Sequence, residues 1–167
     1  SLKKGKSIFL SFGGYDKNNY TAKIINFLNS FKNNYIYLVN KKHKRNLRKQ
    51  KINKIIYYKS NNYYSYLKNA DIVISAGGLS MFDSIFFNKF TICIPQYPHQ
   101  SKNIEILNKK KIIIKANIKN LKKLGAIILS SFKYINYKNR IKKQKKFINM
   151  LHMKKTLRLI FDLYEKK

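Results

Sequence analysis

Two short stretches concentrate the residues that could do chemistry. Ser11-Phe12-Gly13-Gly14 and Ser75-Ala76-Gly77-Gly78 each end an apolar run and open toward a helical pattern, and together they hold four of the six glycines in the chain. Glycine lets the backbone turn sharply and come close to a ligand. A helix starting just beyond offers unpaired N–H groups with positive dipole character. Two such turns in one small domain suit a diphosphate lying between them; the other reading of each is a tight strand-to-helix turn with no ligand. The second turn runs on into Leu79, Ser80 and Asp83. A Ser followed three residues later by an acid has the spacing of a capping box, with Ser80 closing the helix end and Asp83 reaching back to it. The same pair could instead donate to a phosphate and accept from the two vicinal hydroxyls of a ribose. Spacing alone leaves the two readings equal, and the presence of only six acidic residues gives weight to a carboxylate placed here.

Other reactive side chains are sparse. The single cysteine, Cys93, sits in the apolar run 90–94 and reads as a buried structural thiol. One cysteine allows no disulfide within the chain, which fits a cytosolic setting. No Ser/His/Asp or Cys/His arrangement and no metal-ligand cluster is visible, so no catalytic residue and no metal ligand is assigned. His99, in the segment Pro98-His99-Gln100, reads either as a contact to phosphate or sugar or as a solvated loop residue. His43 and His152 read as surface or packing residues.

The elements that must position these groups follow from hydrophobic patterning. Strands are expected at 7–12, 35–39, 52–58, 71–75, 90–94 and 111–114. Helices are expected over 21–31, 63–69, 80–87, from the 98–100 loop through Leu107, and over 119–132, 139–150 and 154–164, with 41–50 a basic surface loop or short helix. Strands alternate with helices, and the strands are continuous apolar runs, which marks strands buried on both faces. The expected fold is therefore α/β: a Rossmann-like doubly wound parallel sheet of about six strands, helices on both faces and a helical C-terminal tail. A length of 167 residues with no internal linker suits one domain.

The formal net charge is +31. Taken alone it points to nucleic acid or an anionic membrane surface. Yet the chain is rich in Lys, Asn, Ile, Tyr and Phe together, with Arg scarce beside Lys, and the basic residues are spread throughout. That pattern reads as codon bias at exposed positions; a dedicated binder of nucleic acid more often uses the planar fork of Arg. No specific nucleic-acid partner is therefore expected, although a basic nucleic-acid-binding module remains an alternative. The charge favours anionic ligands such as nucleotide diphosphates and allows a peripheral contact with an anionic membrane. No apolar run approaches the roughly 20 residues of a membrane span, and no signal-peptide pattern is visible. The expected location is cytoplasmic, with the inner face of the membrane included.

The order of these motifs carries a resemblance. A strand–Gly-Gly–helix unit is followed by Ala70-Asp71, a strand ending in Ser75-Ala76-Gly77-Gly78, a strand closed by Pro95, and Gln100 with Asn103. From about Ser7 to about Leu107 this resembles the C-terminal domain of GT-B glycosyltransferases of the MurG type. In particular it is similar to the pseudaminic-acid-pathway UDP-sugar hydrolase and its relatives in spore-coat polysaccharide biosynthesis. The resemblance implies that Gly13, Gly14, Gly78, Leu79 and Ser80 line the donor diphosphate, with Gly77 in the same turn. It sets Asp83 at the ribose-binding acid, usually Glu in the family. It gives Gln100 and Asn103 the donor sugar or the loop beneath it, and puts Tyr58 and Lys59 where the base is held. The region near Arg158 matches the C-terminal region of the family without its usual glycines. The resemblance further implies one half of a GT-B fold. The catalytic base and acceptor site would lie in an N-terminal domain, in the same chain or in a separate subunit. No cofactor is implied beyond the substrate, a UDP-linked nucleoside-diphosphate sugar. The reaction would be glycosyl transfer, or hydrolysis where water is the acceptor, with this chain alone inactive.

Overall fold

The computed structural model describes residues 6–13, 16–30, 35–47, 54–131 and 134–150, without the side chains of 45, 46, 134–136 and 150. Six strands form one sheet: β1 (Lys6–Ser11), β2 (Tyr35–Asn40), β3 (Ile55–Tyr58), β4 (Ile72–Ser75), β5 (Phe90–Cys93) and β6 (Ile114–Lys115). Their order is β3-β2-β1-β4-β5-β6, and every neighbouring pair is parallel. Strands are added outward from β1 on one side and outward from β4 on the other, so the direction of winding reverses between β1 and β4. This is the expected doubly wound sheet.

Successive side chains on a strand point to opposite faces, and both faces of this sheet are covered. On one face, Ile8 and Leu10 of β1 pack with Val39, Ile74 and Ile92 against Ile24, Ile25 and Leu28 of helix α1 (Tyr20–Asn29) and Leu124 and Ile128 of α6 (Leu121–Ser131). On the other face, Phe9, Leu38 and Val73 meet Leu67 of α3 (Tyr63–Asn69). Beside them, Cys93 packs with Met81 and Ile85 of α4 (Leu79–Phe86) and Ile104 and Leu107 of α5 (Pro98–Lys109). Two-sided burial is the reason the strands read as unbroken apolar runs. His43 is buried in the turn between β2 and the short helix α2 (Lys44–Leu47), so it is a packing residue.

The last described helix, α7 (Tyr134–Met150), crosses beneath the amino ends of β5 and β6. Tyr137 packs with the first core and Phe147 and Ile148 with the core under α4 and α5. Gln144 is fully buried at the crossing and donates through Nε2 to the carbonyls of Lys89 (2.8 Å) and Ile112 (3.2 Å). At the amino ends of β1 and β4, Asp71 Oδ2 accepts from Ser7 N (2.7 Å) and Ser7 Oγ (2.9 Å). The Ala70-Asp71 motif thus fastens the central strands at the end opposite the Gly-Gly turns.

Several expected boundaries shift. The strand expected at 111–114 is reduced to Ile114–Lys115. Lys111 has φ 58°, and the N–H groups of Lys111 and Ile112 bond the carbonyls of Asn108 (2.8 Å) and Leu107 (3.0 Å). These residues therefore close α5, and only the end of the apolar run reaches the sheet. The helix expected at 139–150 begins at Tyr134, and β3 is described from Ile55, with 51–53 outside the described residues. The helix expected at 154–164, with His152 and Arg158, also lies outside them. Among the described residues no helix is long and apolar enough to cross a membrane.

Candidate functional site

A cleft of about 470 Å³ opens beyond the carboxyl ends of β1, β4 and β5. Open α/β sheets bind ligands at this position, where the strand order reverses. Ser11, Phe12 and Gly13 form one wall; Ala76, Gly78, Leu79 and Ser80 form the second; Gln96, Tyr97 and Gln100 form the third. The two Gly-containing turns, 64 residues apart in sequence, are thus brought together by the pairing of β1 with β4, in which Ser11 stands opposite Ser75. Gly14 lies outside the described residues.

The three described glycines of these turns serve different purposes. Gly13 has φ 80°, a left-handed conformation that side chains with a Cβ rarely adopt. At Gly77 a Cβ would lie 2.8 Å from Ile104 Cδ1 and 2.9 Å from Gln100 Cβ, so its absence lets α5 pack against the turn. At Gly78 a Cβ would meet nothing within 4 Å, and φ is −100°. Neither the backbone nor the packing of the chain itself requires a glycine there.

Gly78 is also the N-cap residue of α4, and no side chain caps the helix. The first N–H groups of a helix have no intrahelical partner, so those of Leu79 and Ser80 are open at the cleft wall. The capping-box reading of Ser80 and Asp83 does not hold. Ser80 lies within the first turn, and its Oγ is hydrogen-bonded to Ser11 Oγ at 2.8 Å. Asp83 is half-buried behind the cleft wall, and its Oδ2 accepts from the Tyr63 hydroxyl at 3.0 Å. Burial raises the Asp83 carboxyl above its ordinary value, and the bond from Tyr63 opposes this. Burial also raises the hydroxyls of Tyr63 and Tyr58, while hydrogen bonding to Ser80 and Ser11 respectively opposes it. A run of hydroxyls backed by one carboxylate therefore lies behind the floor of the cleft.

The third wall is tied to the first by a contact the sequence did not disclose. The buried Asp16 carboxylate accepts from Tyr20 N (2.9 Å) and Thr21 N (2.8 Å), closing the start of α1, and also from Gln96 Nε2 (2.8 Å). Asn19, next to the helix, has φ 51° and makes no side-chain cap. Its left-handed turn places the Asp16 carboxylate over the helix end. Gln100 Oε1 accepts from Gln96 N (2.9 Å) and Tyr97 N (3.3 Å), holding the same loop from within α5. Asp16 could have been singled out as an acid just before a helix in a chain with six acids; Gln96 carried no signal of its own.

The other expected residues are placed as follows. Leu79 is 82% exposed at the cleft. Tyr58 is 2% exposed, its ring stacked on Phe9 (5.0 Å between centroids) and Tyr66 (5.6 Å), so it supports the cleft from behind and is not presented to a base. His99 is exposed on α5, stacked on Tyr97 at 5.7 Å with an interplanar angle of 7°. Asn103, one turn beyond Gln100, is exposed outside the cleft wall.

No curated protein matches the sequence. Solved structures do match the fold. The spinosyn rhamnosyltransferase SpnG is similar over 89% of this chain and 42% of its own, with TM-score 0.74 and 14% identity. Its complex with thymidine diphosphate is similar over 87% of this chain and 42% of its own, with TM-score 0.71 and 14% identity. The C-terminal CMP-Kdo binding domain of WaaA from Acinetobacter baumannii is similar over 87% of this chain and 90% of its own, with TM-score 0.62 and 10% identity. The chain thus spans less than half the length of the SpnG chain, and at these identities the likeness is one of fold. A family model, that of the glycosyltransferase family 28 C-terminal domain, matches residues 15–156. Over most of its length, then, this chain belongs to the glycosyltransferase family 28 C-terminal domain family.

Proposed function

We propose that the chain is the donor-binding half of a GT-B glycosyltransferase or nucleotide-sugar hydrolase, holding the diphosphate of a UDP-linked sugar in the cleft. The observation that carries this reading is Gly78: an uncapped helix start at the reversal of strand order, with open space where a Cβ would be. The N–H groups of Leu79 and Ser80 receive the negative charge that grows on the departing diphosphate, and the helix dipole adds to this. Of the mutually bonded Ser80 and Ser11 hydroxyls, the one that does not donate to the other donates to a phosphate oxygen, and the left-handed turn at Gly13 allows close approach, with Gly14 and Gly77 proposed to border the same ligand. Gln100 uses Oε1 for its own loop, which leaves Nε2 to donate to the sugar, with Asn103 and His99 at the rim. Asp83 uses Oδ2 for Tyr63, which leaves Oδ1 for a ribose hydroxyl.

The catalytic base and the acceptor site belong to an N-terminal domain, in the same protein or as a separate subunit. The thymidine diphosphate held by SpnG supports a nucleoside diphosphate as the class of ligand. The finer assignment is a UDP-sugar hydrolase or transferase of nonulosonic-acid or surface-polysaccharide biosynthesis, working in the cytoplasm at or near the inner face of the membrane. Calorimetric titration with UDP, TDP, UMP and a short RNA at physiological salt tests the reading. UDP is expected to bind more tightly than UMP and RNA, with Gly78→Val weakening it about tenfold or more, equivalent to about 1.4 kcal/mol. Equal binding of UDP and UMP, or an unchanged Gly78→Val variant, overturns it.

A further inference from the structure

A second cavity, of about 400 Å³, lies at the opposite end of the sheet from the cleft. Lys111 lines it from the turn before β6, Ser130 from α6, and Asn139, Arg140 and Lys143 from α7. Residues three and four apart are neighbours on a helix surface, so the three α7 residues share one face. Among the described residues three cations and no carboxylate line the cavity, and none of the three is ion-paired to a described carboxylate.

The wall is held in place by backbone contacts. Arg140 Nη1 donates to the carbonyls of Lys111 (3.0 Å) and Ile113 (2.6 Å), and the guanidinium carbon lies 5.6 Å from the centre of the Phe90 ring. One turn further on, Gln144 binds the carbonyls of Lys89 and Ile112, so α7 cannot slide along the strand ends. Among the described residues only Nη1 of the guanidinium is hydrogen-bonded: Nε is buried with no partner there, and Nη2 has none. In a chain whose basic residues are nearly all Lys, this Arg does what Lys cannot. Its planar fork grips two carbonyls with one nitrogen and keeps further donors in a fixed direction. Three like charges around one cavity, with no described carboxylate beside them, repel one another until an anion enters.

We propose that this cavity is an anion site, separate from the nucleotide cleft, that takes a phosphate group, whether free or borne on a lipid headgroup. A tetrahedral oxyanion matches the donor set, because it accepts charge-assisted bonds from Arg140, Lys111 and Lys143 together with a neutral donor from Asn139, while the Ser130 hydroxyl donates to the Ile127 carbonyl (2.9 Å) and only lines the wall.

The test is an NMR titration of the chain with inorganic phosphate, following the amides of Lys111, Ser130, Asn139 and Lys143 beside those of Gly78 and Leu79. The expected result is a saturable shift of the first group, weakened about tenfold for each cation reversed in Lys111→Glu and in Lys111→Glu/Lys143→Glu. Both lysines are exposed, so these variants keep the fold. Sedimentation with phosphatidylcholine vesicles, with and without phosphatidic acid, separates the sources. Wild-type binding to the acidic vesicles that the double variant loses supports a lipid-borne phosphate. Phosphate binding without such vesicle binding supports a free one. No saturable shift, a uniform shift across the whole basic surface, or a shift that survives the double reversal overturns the proposal.

Discussion

Asp16 and Gln96, 80 residues apart in sequence, meet through a 2.8 Å hydrogen bond that joins two walls of the cleft. The same carboxylate closes the first turn of α1 through Tyr20 N and Thr21 N. One side chain therefore fixes the position of a helix and of the loop facing it. Asp16→Ala is expected to cost about 2 kcal/mol of stability, as the loss of a helix cap and a charge-assisted bond. Gln96→Ala is expected to cost less, because the bonds to α1 remain. Urea denaturation of both single variants and the double variant should give a coupling of about 0.5 kcal/mol or more; strict additivity would show that the contact does not hold the loop.

The glycines separate stability from binding. Gly77→Ala places a Cβ against Ile104 and Gln100 and is expected to cost about 1–3 kcal/mol. Gly13→Ala is expected to cost about 1–2 kcal/mol through its left-handed backbone. Gly78→Ala is expected to cost about 0.5–1 kcal/mol, the difference between glycine and alanine at a helix N-cap, while weakening UDP. Thermal unfolding beside nucleotide titration checks all three; a Gly78→Ala variant that loses stability as Gly77→Ala does would mean that the site is packed after all.

Asp83 carries a pH signature. Its folded carboxyl is raised by burial, so across the carboxylate range the folded chain holds more proton than the unfolded one. Its contribution to stability therefore falls as pH rises from the ordinary carboxylate value through the folded one, and is level above that. Asp83→Asn keeps an acceptor for Tyr63 and removes the titration. The stability of Asp83→Asn minus that of the wild-type chain should rise with pH through that window and then level off. Denaturation at a series of pH values would refute this if the difference were flat or fell.

Cys93 is fully buried beneath α4 and α5, and burial pushes its thiol up to about 12. Ser75 Oγ, 3.7 Å from the sulfur, opposes this only in part. Thiolate is the reactive form, so at neutral pH a disulfide reagent should label the folded chain only as fast as it opens. The labelling rate should rise with urea in step with the unfolded fraction; rapid labelling of the native chain would contradict the packing of β5.

What was legible follows from local pattern. Unbroken apolar runs between helical periods announced a parallel sheet, and the run around Cys93 announced its burial. The two turns were legible because four of six glycines fall in them. Three features did not yield to the same reasoning. The resemblance puts Tyr58 where a base is held, yet its ring is stacked on Phe9 from the central strand. Asp83 has the spacing of a capping box and instead accepts from Tyr63. Residues 111–113 have the composition of a strand, yet Lys111 and Ile112 turn to close α5.

By itself, then, the sequence determined the class of the fold and the two turns at which the backbone could approach a ligand. Both depend on interactions within a few residues, where periodicity and glycine placement act directly. Only the tertiary structure decided which groups share the cleft. The Ser11–Ser80 contact at 2.8 Å requires β1 to lie beside β4 with Ser11 opposite Ser75, and the Asp16–Gln96 contact requires the third wall to fold back from β5. Such pairings are set by strand register and helix packing across the whole chain, and no local spacing encodes them.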